Sequence, residues 1–310
     1  MIINTGSRTD IPAFYSRWFY NRIREGYVLV RNPYNPEQVS RYRLAPDVVD
    51  CISFCTKNPL PMLARLDEIA DFGQLWYVTV TPYGTDIEPG VPRKQSVLEA
   101  VRELSRRFSP DAVLWRYDPV LITEAYSLEV HLERFEQMAA FLEGYVNRCV
   151  ISFIDLYAKT RKNFPEAREV GQRERELLCR GFVEAGERHG MRILTCCEGE
   201  RPALYGADVS GCMTREIYER ALGCGLQVPA GKTHIREGCS CLLGSDIGAY
   251  NTCGHGCLYC YANYDRETVE RNRRLHDPDS PFLIGGSRKY DRITDARQVS
   301  WKDRQMRLFF

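Results

Sequence analysis

LWYVTVTP, residues 75–82, is the stretch from which the fold is read. It is a near-continuous run of apolar and β-branched residues closed by a proline. A strand of this kind buries both faces, as strands of a helix-covered parallel sheet do. Comparable runs lie to either side: IINTGS (2–7), YVLVRNP (27–33), DCISFC (50–55), AVLWRYDP (112–119), CVISFIDLY (149–157) and RILTCCEG (192–199). Between most of them lie amphipathic helical segments, at 11–26, 60–73, 96–108, 127–145 and 166–190. Strand–helix alternation repeated seven times predicts an α/β fold, a TIM-like (β/α) barrel in permuted or partial form. No G-x-G-x-x-G follows a strand, so a dinucleotide fold has no direct support.

The pattern loosens after about residue 200. Residues 200–250 are rich in glycine and cysteine, with a helical signal only at REIYERAL; a charged helical stretch, DRETVERNRRL, and a turn-rich, then mixed tail follow. The expected organisation is a barrel core over 1–200 and a cysteine-rich extension over 201–310 packed on the barrel mouth.

The 310 residues carry a formal charge of +1, with 44% apolar and 27% charged residues. Such a chain builds a sizeable core without disulfides. Near-zero net charge gives no bulk field for nucleic acid or an anionic membrane, without excluding a local basic patch. The opening MIINTGSRTDIPAF shows no basic segment followed by an apolar run, and no stretch is long and apolar enough to span a bilayer. A cytoplasmic location is expected. Thirteen cysteines in a reducing compartment point to metal or redox chemistry more than to disulfides. Cys149 and Cys179, in apolar or helical contexts, read as packing residues, as do Cys51 and Cys55.

The strand ends are polar. Arg8 and Asp10 follow the first strand, Arg31 and Asn32 end the second, Lys57 and Asn58 follow the third, and Thr81 and Tyr83 the fourth. Arg116 and Asp118 end the fifth, Asp155, Tyr157 and Lys159 the sixth, and Cys197 and Glu198 the seventh. In a parallel barrel these ends converge on one mouth, suited to a small polar or anionic substrate. Asp10, Lys57, Arg116, Asp118, Asp155 and Lys159 are the candidates for catalysis there.

NTCGHGCLYCYAN (251–263) places Cys253, Cys257 and Cys260 in a C-x3-C-x2-C spacing with Gly254 and Gly256 between them. Thiolates are soft ligands that favour iron–sulfur clusters or zinc. Glycines let backbone wrap closely around a bulky cluster. Three ligands leave one iron of a cubane open. His255, inside the motif, reads as a loop histidine facing solvent, and Arg271, Arg273 and Arg274 as a solvated helix face.

This spacing, with an aromatic residue before the third cysteine, resembles the signature of the radical S-adenosylmethionine enzymes. The fuller string GAYNTCGHGCLYCYAN (248–263) is similar to the motif of their spore photoproduct lyase-like branch. The resemblance implies a [4Fe–4S] cluster on Cys253, Cys257 and Cys260, with the open iron chelating S-adenosylmethionine and Tyr259 against the adenine. It implies reductive cleavage to a 5′-deoxyadenosyl radical, hydrogen abstraction from substrate, oxygen sensitivity, and an electron donor such as flavodoxin or ferredoxin. Arg8, Asn58 and Glu198 are further candidates for holding the cofactor. The family's glycine-glycine-glutamate strand is not evident; CCEGE (196–200) is a weak stand-in, and Gly285–Gly286 has no glutamate after it.

In that family the motif follows the first strand, whereas here it follows seven strand–helix units. LLGSDIGAYNTC (242–253) therefore has to supply the strand and loop that usually open the barrel. The late motif, with CISFCTKNP and DIGAYNTC as landmarks, also resembles an uncharacterised bacterial domain family. An auxiliary cluster on Cys212, Cys239 and Cys241, with Cys197, is a second metal expectation. The alternatives are structural zinc, with Cys239 or Cys241 completing four thiolates, and a cluster that only transfers or senses electrons. A nucleic-acid repair role has no support from the net charge.

Overall fold

The computed structural model describes residues 1–229, 239–242 and 244–303. Parts of the stretch read as glycine- and cysteine-rich (230–238 and 243) and of the mixed tail (304–310) lie outside the described residues.

Ten strands occur among the described residues: β1 (Ile2–Asn4), β2 (Tyr27–Arg31), β3 (Gln38–Arg43), β4 (Cys51–Thr56), β5 (Gly73–Thr79), β6 (Val113–Val120), β7 (Arg148–Phe153), β8 (Arg192–Thr195), β9 (Ser245–Asp246) and β10 (Arg292–Asp295). Seven of them form one parallel sheet in the order β8-β7-β6-β5-β4-β1-β9. LWYVTVTP supplies the central strand. Leu75, Trp76, Tyr77 and Val78 are fully buried, which accounts for the unbroken apolar run. Across β4 and β5, Phe54 and Trp76 stack with ring centroids 4.0 Å apart.

The helices are α1 (Ile11–Phe14), α2 (Ser16–Glu25), α3 (Leu60–Leu63), α4 (Lys94–Arg107), α5 (Leu128–Leu142), α6 (Ala158–Asn163), α7 (Gln172–Arg188), α8 (Arg215–Leu222) and α9 (Arg266–Arg274). Their ends follow local chemistry. Ser127, Thr214 and Asp265 cap α5, α8 and α9 by accepting from backbone N–H groups of the first turn. Gly26 and Gly223, both left-handed, end α2 and α8. Phe135 of α5 stacks on Phe182 of α7 and on Trp115 of β6, locking this helix pair to the sheet.

The sheet is open, not a closed barrel. β8 and β9 are its two edges, and β9 has only two residues. Closure of a (β/α) barrel takes eight strands of matched tilt and stagger. One strand expected in the barrel, YVLVRNP, is diverted. Its β2 pairs antiparallel with β3, which pairs in turn with β10, giving a separate three-stranded sheet over Leu29, Val39 and Phe282. Arg31 and Asn32 therefore do not lie at the carboxyl edge of the main sheet; Arg31 pairs with Asp291.

The stretch expected to supply a late strand does so. Ser245 and Asp246 lie alongside Ile3 and Asn4, so the chain returns after β8 to the opposite edge. All seven strands run the same way, and the segments after them share one edge.

Candidate functional site

The cysteine loop leaves β9 at a fixed angle. Asp246 accepts from Ser7 N at 2.8 Å and Gly248 N at 2.9 Å, and Arg8 Nε lies 3.7 Å from it. Arg8 also lies over the Tyr250 ring. The loop then closes on itself. Asn251 N donates to Ala262 O at 3.1 Å, Asn263 Nδ2 to Cys253 O at 2.8 Å, and Cys260 N to Cys257 O at 3.1 Å. Tyr15 OH holds Thr252 O at 2.7 Å, and Asn272 of α9 holds Asn251 O at 3.0 Å. Gly256 takes a left-handed φ of 67°, which its lack of a Cβ permits.

The loop is seated on the segment after β5. Leu258 N donates to Ile87 O at 3.1 Å, and Gly90 N to His255 O at 2.8 Å. Gly90 is required there, since a Cβ would fall 2.7 Å from the carbonyl oxygens of both Gly254 and His255.

His255 is not the solvent-facing histidine expected. It is only 2% exposed, and its Nε2 lies 2.8 Å from Asp10 Oδ2. Asp10 also accepts from Thr56 Oγ1 at 2.7 Å, Lys57 N at 2.8 Å and Ala13 N at 3.0 Å. One carboxylate thus joins the segments after β1 and β4 to the cysteine loop. Arg271, Arg273 and Arg274 are exposed, as expected of a solvated helix face, and the Arg273 guanidinium also lies over Phe14 and against Gly254.

Beneath Tyr259 lies a charged cluster that the sequence reading missed. Buried Glu88 accepts from Lys57 Nζ at 2.8 Å and Thr81 Oγ1 at 2.9 Å, and is also bound by Lys94 Nζ and the Tyr259 hydroxyl. Burial pushes the Glu88 carboxyl up, but Lys57 and Lys94 outweigh it and hold it at about 2. Burial lowers both lysines. Glu88, with smaller help from Cys257 and Asp118, overcomes this for Lys57, which ends raised; in Lys94, burial and the neighbouring Lys57 prevail. Burial and Glu88 together push the Tyr259 phenol well up.

The other candidates divide into smaller groups. Asn58 caps the next turn through Leu60 N at 3.2 Å. Lys159 donates to Tyr261 O at 3.2 Å, beside the loop. Arg116 and Asp118 pair with each other near the sheet centre. Asp155 accepts from Tyr157 OH at 3.2 Å. Glu198 is occupied by Ser152 Oγ at 3.0 Å, Phe153 N at 2.8 Å and Arg175 at 2.6 Å.

Burial raises the thiols of Cys253, Cys257 and Cys260, Cys257 to about 12. Cys253 feels the charges of Cys260 and Cys257, and Cys257 that of Cys260. Among the described residues, no three His, Cys, Asp or Glu side chains already converge to hold a metal ion. The donor types nonetheless fit a soft metal: three thiols lie on one short loop closed by its own hydrogen bonds. Asn263, which donates through Nδ2 to Cys253 O, has a buried Oδ1 with no hydrogen-bond partner; Asn4 Nδ2 and Thr9 Oγ1, near the start of the chain, are likewise buried without one. A cavity of about 720 Å3 opens beside the loop, lined by Ile87, Ile122, Phe164, Leu258 and polar groups.

Four cysteines expected to form an auxiliary group also meet. Cys197, Cys212, Cys239 and Cys241 line a cavity of about 130 Å3, together with Cys196, which the sequence reading left out of that set. Cys149 and Cys179 pack in the core as expected.

The fold and site define an open-sheet α/β protein with a cysteine loop at the carboxyl edge of its parallel strands. The chain belongs to the family described as a domain of unknown function, DUF1848, whose model matches residues 2–262. No curated protein and no solved structure matches it. No helix among the described residues is long and apolar enough to cross a membrane.

Proposed function

We propose that this chain is a radical S-adenosylmethionine enzyme, with Cys253, Cys257 and Cys260 as the protein ligands of a [4Fe–4S] cluster. The observation that carries the reading is the seating of the three-cysteine loop. It leaves a strand paired to β1 and is fixed over the segments after β1, β4 and β5 by Asp246, Asp10 and Gly90. When bound, the cluster would supply one-electron cleavage of S-adenosylmethionine and hydrogen abstraction from a substrate.

The chain's own residues would position these groups. Asp10, through His255, holds the loop against the sheet. Glu88 keeps Tyr259 in place, and Lys57 and Lys94 bring positive charge next to the loop for a carboxylate ligand. Arg8, at the start of the loop, and Asn58 are the remaining cofactor candidates; Glu198 is already committed to Arg175 and the end of β7. The 720 Å3 cavity beside Leu258 would take the substrate. Its ionisable lining is Asp86, Glu124, Glu166 and Arg168, which suits a polar substrate better than an anion. Candidates for proton handling are Lys159 beside the loop, Asp118 and Asp155, with Arg116 paired to Asp118 as a fixed positive charge.

The test uses anaerobically reconstituted full-length protein, reduced with dithionite and supplied with S-adenosylmethionine. The reading expects 5′-deoxyadenosine from the wild type and none from Cys257→Ala. Equal product from both, or from neither in the presence of bound iron, would reject it. Iron without product would leave the electron-transfer or sensing alternative, and zinc in place of iron the structural one.

A further inference from the structure

The second group of cysteines is assembled by contacts that have nothing to do with the 253–260 loop. After β8, Asp208 N donates to Ile193 O at 2.8 Å and Thr195 N to Asp208 O at 2.9 Å, drawing the segment before α8 onto the sheet edge. That segment then meets residues 240–242. Leu242 N donates to Met213 O at 2.8 Å, and Ser240 Oγ to Ser210 O. Gly211, at φ 119°, has no room for a side chain because Ser240 Oγ fills the space. The result places Cys212 Sγ 3.4 Å from Cys241 Sγ. Cys196 lies close enough to Cys212, and Cys239 to Cys241, for one to perturb the other's thiol. Cys197 completes the lining from a left-handed backbone, φ 59°, a conformation costly for a residue with a Cβ.

Five of the thirteen cysteines therefore surround one cavity, whereas Cys149 and Cys179 each pack within the apolar core. Close packing of sulfur needs no cavity. This one, about 130 Å3, is several times the ~30 Å3 share of a liquid water molecule. A single disulfide between Cys212 and Cys241 would leave three thiols around it. Arg116 supplies nearby positive charge, felt by both Cys196 and Cys212, as a multi-thiolate site requires.

We infer that Cys196, Cys197, Cys212, Cys239 and Cys241 form a second, thiolate-ligated metal centre, four of them binding zinc or an iron–sulfur cluster. The fifth is a spare or substitute ligand. As they stand the five thiols ring the cavity without converging on a point, so binding draws them inward by side-chain rotation. The inference does not depend on the proposed role of the 253–260 loop.

The experiment compares metal and sulfide content, after anaerobic reconstitution with iron and sulfide or with zinc, in three full-length proteins. These are the wild type, the triple variant Cys253→Ala/Cys257→Ala/Cys260→Ala, and the double variant Cys212→Ser/Cys241→Ser. X-ray absorption on the triple variant reads the second site without altering it. The expected result is retained metal with sulfur ligands at about 2.3 Å, and loss of that fraction in the double variant. A triple variant that holds no metal overturns the inference while leaving the first site standing. A triple variant with wild-type metal content overturns the first site while leaving this one. In case a variant misfolds, alkylation of the native wild type decides. Cys212 and Cys241 protected until a chelator is added support the centre. Labelling indifferent to the chelator, or a Cys212–Cys241 disulfide, overturns it.

Discussion

Asp10 and His255 face each other across 245 residues of sequence, with 2.8 Å between Oδ2 and Nε2. Both are buried, and the same carboxylate caps α1 and holds the turn after β4. One side chain thus ties the opening of the chain to the cysteine loop near its end.

Asp10→Ala removes the acceptor of three hydrogen bonds and leaves His255 without its carboxylate. Buried hydrogen bonds to a charged acceptor are worth roughly 1.5–3 kcal/mol each in net terms, and they are not additive. We expect a loss of about 3 kcal/mol in urea unfolding, and a smaller loss for Asp10→Asn, which keeps the packing. A loss within about 0.5 kcal/mol, the level of ordinary surface changes, would show that the link does not hold the loop.

Glu88 predicts an acid limb. Its carboxyl titrates near 4.5 when unfolded and at about 2 when folded. Between these values the unfolded state binds more protons, so stability rises with pH across the window. The contribution is fully present above about pH 4.5 and is lost as pH falls toward 2. Glu88→Gln should flatten that part of the stability profile. It should also cost roughly 2–3 kcal/mol at neutral pH, because Lys57 and Lys94, only partly exposed, lose their counter-charge. Denaturant titrations of both proteins at a series of pH values read both effects.

Gly90→Ala tests the seat of the loop. The added methyl meets two carbonyl oxygens at 2.7 Å, and backbone cannot turn aside as a side chain can. We expect a cost of about 1–3 kcal/mol and faster alkylation of Cys253 and Cys257. Gly286→Ala, where nothing lies within 4 Å of the added atom, should change neither.

Much of the fold was legible because burial on both faces leaves unbroken apolar runs, as in β5, and because caps such as Ser127 and Asp265 mark helix starts. β3 (QVSRYR) and β10 (RITD) were not legible. Their side chains are largely exposed, so hydrophobicity carries no signal, and β3 pairs with partners before and after it in sequence. The diversion of β2 into that sheet also hid the open edge of the main one. At the candidate site, Cys253, Cys257 and Cys260 were singled out by their spacing and by the motif it resembles. Glu88 sits in a turn-rich segment and Lys94 opens α4, and Glu88's other partners, Lys57, Thr81 and Tyr259, come from three other places in the chain. The burial of His255 depends on Asp10, which no local pattern near residue 255 reveals.

The most direct test of the central claim is Mössbauer spectroscopy of 57Fe-reconstituted protein with and without S-adenosylmethionine. The account predicts a [4Fe–4S] component that is lost in Cys257→Ala and in which one iron site changes when S-adenosylmethionine is added, because only three thiolates of the loop hold it; iron bound at the second cysteine group would keep a separate component. A spectrum left unchanged by S-adenosylmethionine, or one that survives Cys257→Ala intact, would contradict it.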